Sequence, residues 1–221
     1  MTDPTRDAHL FLVDDHSMTR AGMRTLINDM PGLRVVGDHG KAREAIDLIG
    51  QLKPDLVLLD ITMPALSGID AISKIRAVHP EVRIVMLSHH EGDSFVEQSL
   101  EQGADGYLSK DSEPEELALA IRSTLAGNTY ISPKVTRAVL DRCRAGQSAS
   151  THDGLSALTP REREVFQLLA VGHSNKEVAR DLEMSVGTAK KHRENLQRKL
   201  DCHSPAELAR LAIREGLLNP D

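Results

Sequence analysis

The feature that most constrains the fold is an alternation of short apolar runs with amphipathic stretches, repeated five times within residues 1–126. Most runs are nearly continuous in Val, Ile and Leu, which is typical of strands buried on both faces of a parallel sheet. The runs are His9–Val13, Leu33–Val36, Leu56–Leu59, Arg83–Leu87 and Gly106–Leu108. The stretches between them have helical periodicity and cover roughly 18–28, 42–52, 68–78, 94–102 and 114–126. Five βα units predict a doubly wound, five-stranded parallel α/β domain of the flavodoxin-like kind, with its chemistry at the carboxyl ends of the strands.

The rest of the chain predicts a linker over residues 127–157 and an all-helical domain over residues 158–221. A connecting helix is expected over residues 133–144, and the small, polar residues 145–157 indicate a flexible segment. Helix starts of the capping-box type are predicted at Ser112–Glu115, Thr159–Glu162, Ser174–Glu177 and Ser204–Glu207. Ser185 is expected to cap a further helix without a box.

Composition and charge exclude several classes of protein. No apolar run approaches the roughly 18 residues that a membrane span needs, and no secretion signal is visible, which predicts a cytoplasmic protein. Cys143 and Cys202 are far apart and predict reduced thiols rather than a disulfide framework. The net charge of −6 belongs entirely to residues 1–150, because residues 151–221 hold 11 basic and 11 acidic side chains. Local charge must therefore decide whether the chain binds nucleic acid.

Polar side chains follow four of the five predicted strands. Asp14 and Asp15 follow the first strand, Asp60 ends the third, Ser88 ends the fourth and Lys110 follows the fifth. Carboxylates that meet at one edge repel one another unless a cation joins them, and a hard divalent ion such as Mg²⁺ suits oxygen ligands. Asp60 would be the nucleophile that becomes an aspartyl phosphate. Lys110 and the Ser88 hydroxyl would each contact a phosphoryl oxygen.

The segments LVDDH, LLDITMP, MLSHH and GADGYLSKD resemble the receiver domain of two-component response regulators, in order and spacing, over residues 8–126. The resemblance implies an Mg²⁺ site formed by Asp14, Asp15, Asp60 and the backbone carbonyl of Thr62. It also implies that Ser88 and Tyr107 are a switch pair that changes rotamer on phosphorylation, with Tyr107 turning inward. The phosphoryl donor of such domains is a phosphohistidine on a sensor histidine kinase.

Two residues depart from the pattern of that family. Asp111 follows Lys110 where many receivers have a proline, which removes the argument for a rigid turn there. His89 follows Ser88 where a small residue is common. A bulky His89 is expected to shield the phosphoryl group, so that the substitution His89→Ala would shorten the lifetime of phosphorylated Asp60.

The segment SNKEVARDLEMSVGTAKKHRENLQRKL predicts two helices separated by a short turn near residues 183–184. The second helix has an apolar arc that is predicted to pack on the domain, formed by Val186, Ala189, Leu196 and Leu200. About opposite lies a charged arc of Lys190, Lys191, Glu194 and Arg198. A tight turn before a basic second helix is what insertion into the major groove of double-stranded DNA requires.

The chain from LTPRE onward resembles the NarL/LuxR-type DNA-binding domain over residues 156–218. The resemblance implies four helices, of which the third enters the major groove and the fourth pairs two protomers. By position, Lys190 and Lys191 are expected to read base edges, with Arg198 and Lys199 nearer phosphates. Glu194 either accepts a hydrogen bond from a cytosine amino group or weakens binding by repelling phosphate. The candidates for fourth-helix packing, divided in an undetermined way between core and dimer contact, are Ala206, Ala209, Leu211 and Ile213.

Together the two halves predict a transcription regulator that binds DNA as a homodimer under the control of phosphorylation. Phosphorylation would change the surface of the fourth helix, fifth strand and fifth helix, promoting dimerisation or releasing the DNA-binding domain. One alternative is a phosphatase with an aspartyl-phosphate intermediate, but such enzymes usually carry an acid/base carboxylate two residues after the nucleophile, where this chain has Thr62. The other is a nucleotide- or ligand-binding α/β domain that gates DNA binding, but no glycine-rich phosphate motif follows a predicted strand, which argues against a nucleotide. We therefore expect slow self-dephosphorylation and no catalytic turnover.

Overall fold

The structure is a computed structural model that describes residues 6–63, 65–88, 93–137 and 158–214. These residues form two compact units, an α/β unit and an all-helical unit. Within the described ranges, no helix combines the length and the apolar character that crossing a membrane would require.

The α/β unit contains five strands that each lead into a helix, followed by a short sixth strand. In chain order the elements are β1 Ala8–Val13, α1 Ser17–Asn28, β2 Leu33–His39, α2 Ala42–Leu52, β3 Leu56–Asp60, α3 Gly68–Val78, β4 Arg83–Ser88, α4 Asp93–Glu101, β5 Gly106–Ser109, α5 Pro114–Leu125 and β6 Tyr130–Ile131. The strands are all parallel, in the order β2-β1-β3-β4-β5-β6. The doubly wound fold is confirmed, with a sixth strand that its two residues were too few to predict.

Aliphatic side chains on both faces of the central strands hold this unit together. Every residue of β3 is buried, as the continuous run Leu-Val-Leu-Leu predicts for an interior parallel strand. Each fully buried Val or Leu side chain contributes about 1.5–3 kcal/mol of transfer free energy. Gly37 on β2 leaves room for Phe11, because a Cβ at Gly37 would lie 2.6 Å from the ring of Phe11.

Two local predictions need correction or completion. Helix α5 begins at Pro114 after the N-cap Glu113, and no side chain caps it, so the capping box expected at Ser112–Glu115 is wrong. The fixed φ of Pro114 is already helical, which starts the helix without a side-chain cap. The connecting helix expected over 133–144 is helical over 133–137, and its remainder lies outside the described residues.

The helical unit contains α6 Pro160–Ala170, α7 Asn175–Asp181, α8 Val186–Leu200 and α9 Pro205–Arg214. Both hydrogen bonds of the predicted capping boxes are present before α6, α7 and α9, and Ser185 caps α8 by accepting from the Thr188 amide. Each cap of this kind contributes about 1 kcal/mol. The core residues of the unit include Val165, Phe166, Val178, Ala189, Leu196, Leu208 and Ala212.

Candidate functional site

The carboxyl ends of neighbouring strands bring the predicted site residues of the α/β unit together. Asp14 directly follows β1, Asp60 is the last residue of β3, and Lys110 directly follows β5. The Lys110 ammonium lies 2.7 Å from Asp14 Oδ2 and 2.8 Å from Asp60 Oδ2. All three side chains are buried, so the sheet holds two carboxylates and one ammonium in a pocket largely closed to water.

Burial and the neighbouring charges raise the pKa values of both Asp60 and Lys110. Burial is the largest cause that raises the pKa of Asp60 to about 6, and the nearby Asp14 adds to it, while Lys110 opposes the change. Burial would lower the pKa of Lys110, but the carboxylates of Asp60 and Asp14 outweigh it and raise that pKa. Lys110 therefore stays charged and partly neutralises the two acids.

The same edge fits a metal ion. Ligand atoms of Asp14, Asp15, His16 and Asp60 lie within 4.8 Å of one another. The buried Oδ2 atoms of Asp14 and Asp60 both have the Lys110 ammonium as a partner, and carboxylate oxygens clustered in this way are the ligands that a hard divalent cation prefers. His16 was not predicted here; its Nδ1 lies 2.8 Å from Asp15 Oδ1, and its place directly after the acidic pair was the available signal.

The backbone around Asp60 is tightly packed. The amide of Thr62 donates to Asp60 Oδ1 over 3.1 Å, whereas the metal role expected of the Thr62 carbonyl stays a prediction. The amide of Gly68 donates to the carbonyl of Ile61 over 2.9 Å. A Cβ at Gly68 would lie 2.0 Å from the carbonyl oxygen of Asp60, so only glycine fits at this position. The sequence pattern gave no signal that singled out Gly68.

The predicted switch pair lies beside the acids on β4 and β5. Ser88 and Tyr107 are both buried, and the two side chains form a hydrogen bond. Burial raises the pKa of Tyr107 to about 12, so the phenol stays protonated. Tyr107 already lies inside the domain in this structure, whereas the expected switch had it turning inward only on phosphorylation. Of the two departures, Asp111 donates its amide to Ser109 Oγ over 3.3 Å, and His89 lies outside the described residues.

In the helical unit, a tight turn separates α7 from α8, as predicted. Glu183 in this turn has a φ of +51°, and the Met184 amide donates to the Ala179 carbonyl over 2.9 Å. Arg161 of α6 donates to the Leu182 carbonyl at the end of α7 and forms an ion pair of 2.6 Å with Glu164. The pair α7–α8 is therefore a helix-turn-helix that the first helix of the unit supports from behind.

The charged arc of α8 is exposed, as the helical spacing predicts. Lys190 and Glu194 have side-chain exposures of 68% and 63% and approach each other only to 3.9 Å. Lys191 and Arg198 are also exposed. This face presents cations that a polyanion can reach, with one acid between them.

Two residues of α8 have surroundings that the sequence did not predict. Val186 was assigned to the packing face, but it is 48% exposed, because the first turn of α8 extends beyond the core that buries Ala189 and Leu196. The ammonium of Lys199 lies 2.6 Å from Oε2 of the buried Glu162, while the expected place of Lys199 near DNA phosphates stays a prediction. Burial opposes ionisation of Glu162, but the bond to Lys199 and the helix-capping bonds from Thr159 lower its pKa overall.

The four apolar candidates on α9 divide between the interior and the surface. Leu211 is buried in the core of the unit, and Ala209 is half-buried. Ala206 and Ile213 are exposed. The contribution of α9 to a contact between protomers would therefore come from Ala206 and Ile213 rather than from Leu211.

Comparisons with known proteins match both units. The protein-family model of the response regulator receiver domain matches residues 10–122. The family model of the bacterial regulatory proteins of the luxR family matches residues 156–212. The chain is 38% identical to the nitrate/nitrite response regulator protein NarL of Escherichia coli (strain K12), over 91% of this chain and 93% of that protein. It is 36% identical to the transcriptional regulatory protein MctR of Rhizobium johnstonii, over 95% of each. A LuxR-family two-component response regulator from Aurantimonas sp. SI85-9A1 has a TM-score of 0.60 at 38% identity, covering 62% of this chain and 98% of that one.

Proposed function

The chain belongs to the two-component response regulators with a LuxR-type DNA-binding domain, and on that premise we propose that a phosphoryl group on Asp60 switches its binding to DNA. The observation that carries the proposal is the buried contact of Lys110 with both Asp14 and Asp60 at the carboxyl edge of the sheet. A buried carboxylate with an ammonium beside it has both the nucleophile and the countercharge that phosphoryl transfer requires.

We expect Asp14, Asp15, Asp60 and the Thr62 carbonyl to hold an Mg²⁺ ion. The clustered carboxylate oxygens fit a hard cation of this kind. When bound, Mg²⁺ offsets the negative charge of the transferring phosphoryl group.

The side chains around Asp60 take part in phosphoryl transfer and in the response to it. A carboxylate oxygen of Asp60 attacks phosphorus, an O–P bond forms, and the P–N bond to the histidine of a sensor kinase breaks, returning the electron pair to the imidazole. Lys110 and Ser88 then bond to phosphoryl oxygens. Because Ser88 also bonds Tyr107, its recruitment removes a partner of the phenol. The change at Tyr107 alters the surface of α4, β5 and α5, which favours a homodimer or frees the DNA-binding unit.

On the output side, we propose that α8 lies in the major groove of double-stranded DNA. The exposed Lys190 and Lys191 near its N-terminal end would contact base edges, with Glu194 beside them, and Arg198 would contact a phosphate. Lys199, bound to Glu162, is better placed to hold α8 on α6 than to reach DNA. A dimer would read two half-sites of an inverted repeat.

We propose no enzymatic turnover beyond slow self-dephosphorylation, in a protein of the cytoplasm. Thr62 lies two residues after Asp60, at the position where a phosphatase would have its acid/base carboxylate. Its amide donates to Asp60, which positions the carboxylate but supplies no acid/base group.

The direct test treats the full chain with acetyl phosphate and Mg²⁺ and follows both intact mass and DNA binding. We expect a gain of one phosphate, abolished by chelating the metal or by Asp60→Asn, and tighter DNA binding by the wild type alone. An equal response of DNA binding in wild type and Asp60→Asn would contradict control through Asp60.

A second experiment separates base reading from phosphate contact on α8. Arg198→Ala should weaken binding to all DNA sequences alike and reduce the salt dependence by about one unit of slope, because one phosphate contact is lost. Lys191→Ala should instead flatten the difference between preferred and scrambled DNA. Equal losses on both DNAs for Lys191→Ala would exclude a base-reading role.

A further inference from the structure

We propose that Arg20 is a positioning residue for the phosphorylation site, because its guanidinium fixes the backbone of the first metal-binding carboxylate and thereby sets the affinity for the divalent ion. The inference rests on the proposed function, in which Asp14, Asp15 and Asp60 bind that ion. No pattern in the sequence singled out Arg20, which lies one turn into α1.

The evidence begins with the contacts of the guanidinium. Arg20 has a side-chain exposure of only 18%, and its Nε donates to Asp38 Oδ2 over 3.0 Å. Its Nη1 donates to the backbone carbonyl of Asp14. One planar group therefore joins α1, the end of β2 and the loop that carries the acids.

Asp38 makes a firm anchor for this guanidinium. It lies on β2 directly beside Leu12 of β1, and it also accepts a hydrogen bond from Arg24. Burial would raise the pKa of Asp38, but the hydrogen bonds from Arg24 and Arg20 outweigh burial and lower it. The carboxylate thus stays ionised and holds Arg20 over the carboxyl edge of the sheet.

The peptide groups on both sides of Asp14 are fixed by neighbouring residues. The Asp14 amide donates to the carbonyl of His39 over 3.3 Å, and the Asp14 carbonyl accepts from Arg20. With both groups held, the direction in which the Asp14 side chain leaves the backbone is set before any ligand arrives. Gly40 leaves space for the Arg20 guanidinium, because a Cβ at Gly40 would lie 3.1 Å from Arg20 Nη1.

A comparison with Arg24 shows that the contacts of Arg20 differ from those of an ordinary surface ion pair. Arg24 binds the same carboxylate from the next turn of α1, but its side chain is more exposed, and its bond to Asp38 does not involve the Asp14 backbone. A lysine at position 20 would keep the charge but lack the planar fork that bonds Asp38 and the Asp14 carbonyl together. Groups that orient metal ligands typically change metal affinity 10–100-fold when they are removed.

The test uses the full chain and Mn²⁺ as a spectroscopic probe for the divalent site. We expect Arg20→Gln to raise the Kd for Mn²⁺, measured by electron paramagnetic resonance, by about 10-fold. Arg24→Gln is the matched control, since it loses a bond to Asp38 but none to Asp14, and should change the Kd by less than about 2-fold. Arg20→Lys should fall between wild type and Arg20→Gln.

A second readout distinguishes positioning from general damage. Phosphorylation of Arg20→Gln by acetyl phosphate should be slow at low Mg²⁺ and return to within about 2-fold of the wild-type rate at saturating Mg²⁺, because only metal affinity is lost. A rate that stays low at saturating Mg²⁺, or equal Mn²⁺ affinities of the Arg20→Gln and Arg24→Gln variants, would overturn the inference. Wild type that binds Mn²⁺ but gains no phosphate would refute the proposed function and leave the Kd comparison to decide on Arg20.

Discussion

The carboxylate site of the α/β unit and the exposed arc of α8 are both built from charged side chains, yet the protein surrounds those charges in opposite ways. Asp60 is 1% exposed, and its carboxylate is held by Lys110 and by the Thr62 amide. Lys190 is two-thirds exposed, and its nearest acid is 3.9 Å away. A small group such as phosphate needs partners placed in advance, whereas a DNA duplex supplies its own dense charge and needs only accessible cations.

The sharpest way to test this comparison is the same substitution in both places. Gly68→Ala puts a Cβ 2.0 Å from the carbonyl of Asp60, so it should lower the free energy of unfolding by about 3 kcal/mol and abolish phosphorylation. Gly187→Ala on α8 meets nothing closer than 3.7 Å and should leave stability unchanged or raise it by about 0.5 kcal/mol. Urea unfolding measures both changes.

Gly22→Ala is the control for the first substitution, because Gly22 lies within α1 and a Cβ there has open space around it. If Gly68→Ala were as stable as Gly22→Ala and accepted phosphate normally, the tight packing around Asp60 would be disproved.

The second prediction concerns the cost of burying Asp60. Its pKa is raised from 3.8 to about 6, so the folded state keeps its proton to higher pH than the unfolded state does. This contribution to stability is complete below about pH 4 and is lost as pH rises to about 6. In metal-free buffer, Asp60→Asn should therefore be more stable than wild type by about 3 kcal/mol at pH 8, with the difference shrinking towards pH 4.

The measurement is unfolding of both proteins across this pH range with a chelator present. A difference that is constant with pH would show that the benefit of asparagine is unrelated to the ionisation of Asp60. Saturating Mg²⁺ should stabilise the wild type more than Asp60→Asn, because the metal prefers a carboxylate ligand.

The third prediction separates two lysines on the same helix. Lys199→Ala removes the ammonium that neutralises the buried Glu162 and should lower the free energy of unfolding of the helical unit by about 1 kcal/mol. Lys190→Ala, at an exposed position, should cost no more than about 0.5 kcal/mol while weakening DNA binding clearly. The reverse ranking in thermal unfolding and DNA titration would place Lys199 at the DNA surface after all.

The smallest effect is expected at Glu194. Its contact with Lys190 is long and exposed, so Glu194→Gln should change stability by only a few tenths of a kcal/mol. It should tighten non-specific DNA binding severalfold at low salt, because one negative charge is removed from the face of α8 that we propose contacts DNA. If specific binding falls instead, Glu194 accepts a hydrogen bond from a base.

The sequence predicts best those parts of the molecule in which a simple local pattern, such as an apolar run or a capping box, occurs several times. Apolar runs mark the five longer strands, and the order of these strands along the chain predicts that Asp14, Asp60, Ser88 and Lys110 lie at one edge of the sheet. Capping boxes are equally local, since donor and acceptor are three residues apart, and the boxes at Thr159, Ser174 and Ser204 are all present.

The features that were missed depend on contacts between residues distant in sequence. The bond from Lys199 to Glu162 spans 37 positions, and the approach of Gly68 to Asp60 depends on the path of a loop. Helical periodicity alone placed Val186 in the packing arc, but only the extent of the core decides where burial ends. The inward position of Tyr107 is likewise a matter of tertiary packing.

The short strand β6 has a consequence for association with other chains. Without it, β5 would be the outer strand of the sheet, with backbone amides and carbonyls facing outward beside an apolar segment. Tyr130 and Ile131 pair with Gly106 and Tyr107, and the Ser132 amide donates to the Tyr107 carbonyl over 2.9 Å. An exposed edge of this kind invites intermolecular strand addition and aggregation. The sheet therefore ends in an edge strand of only two residues, which offers an incoming strand much less backbone to pair with than β5 would.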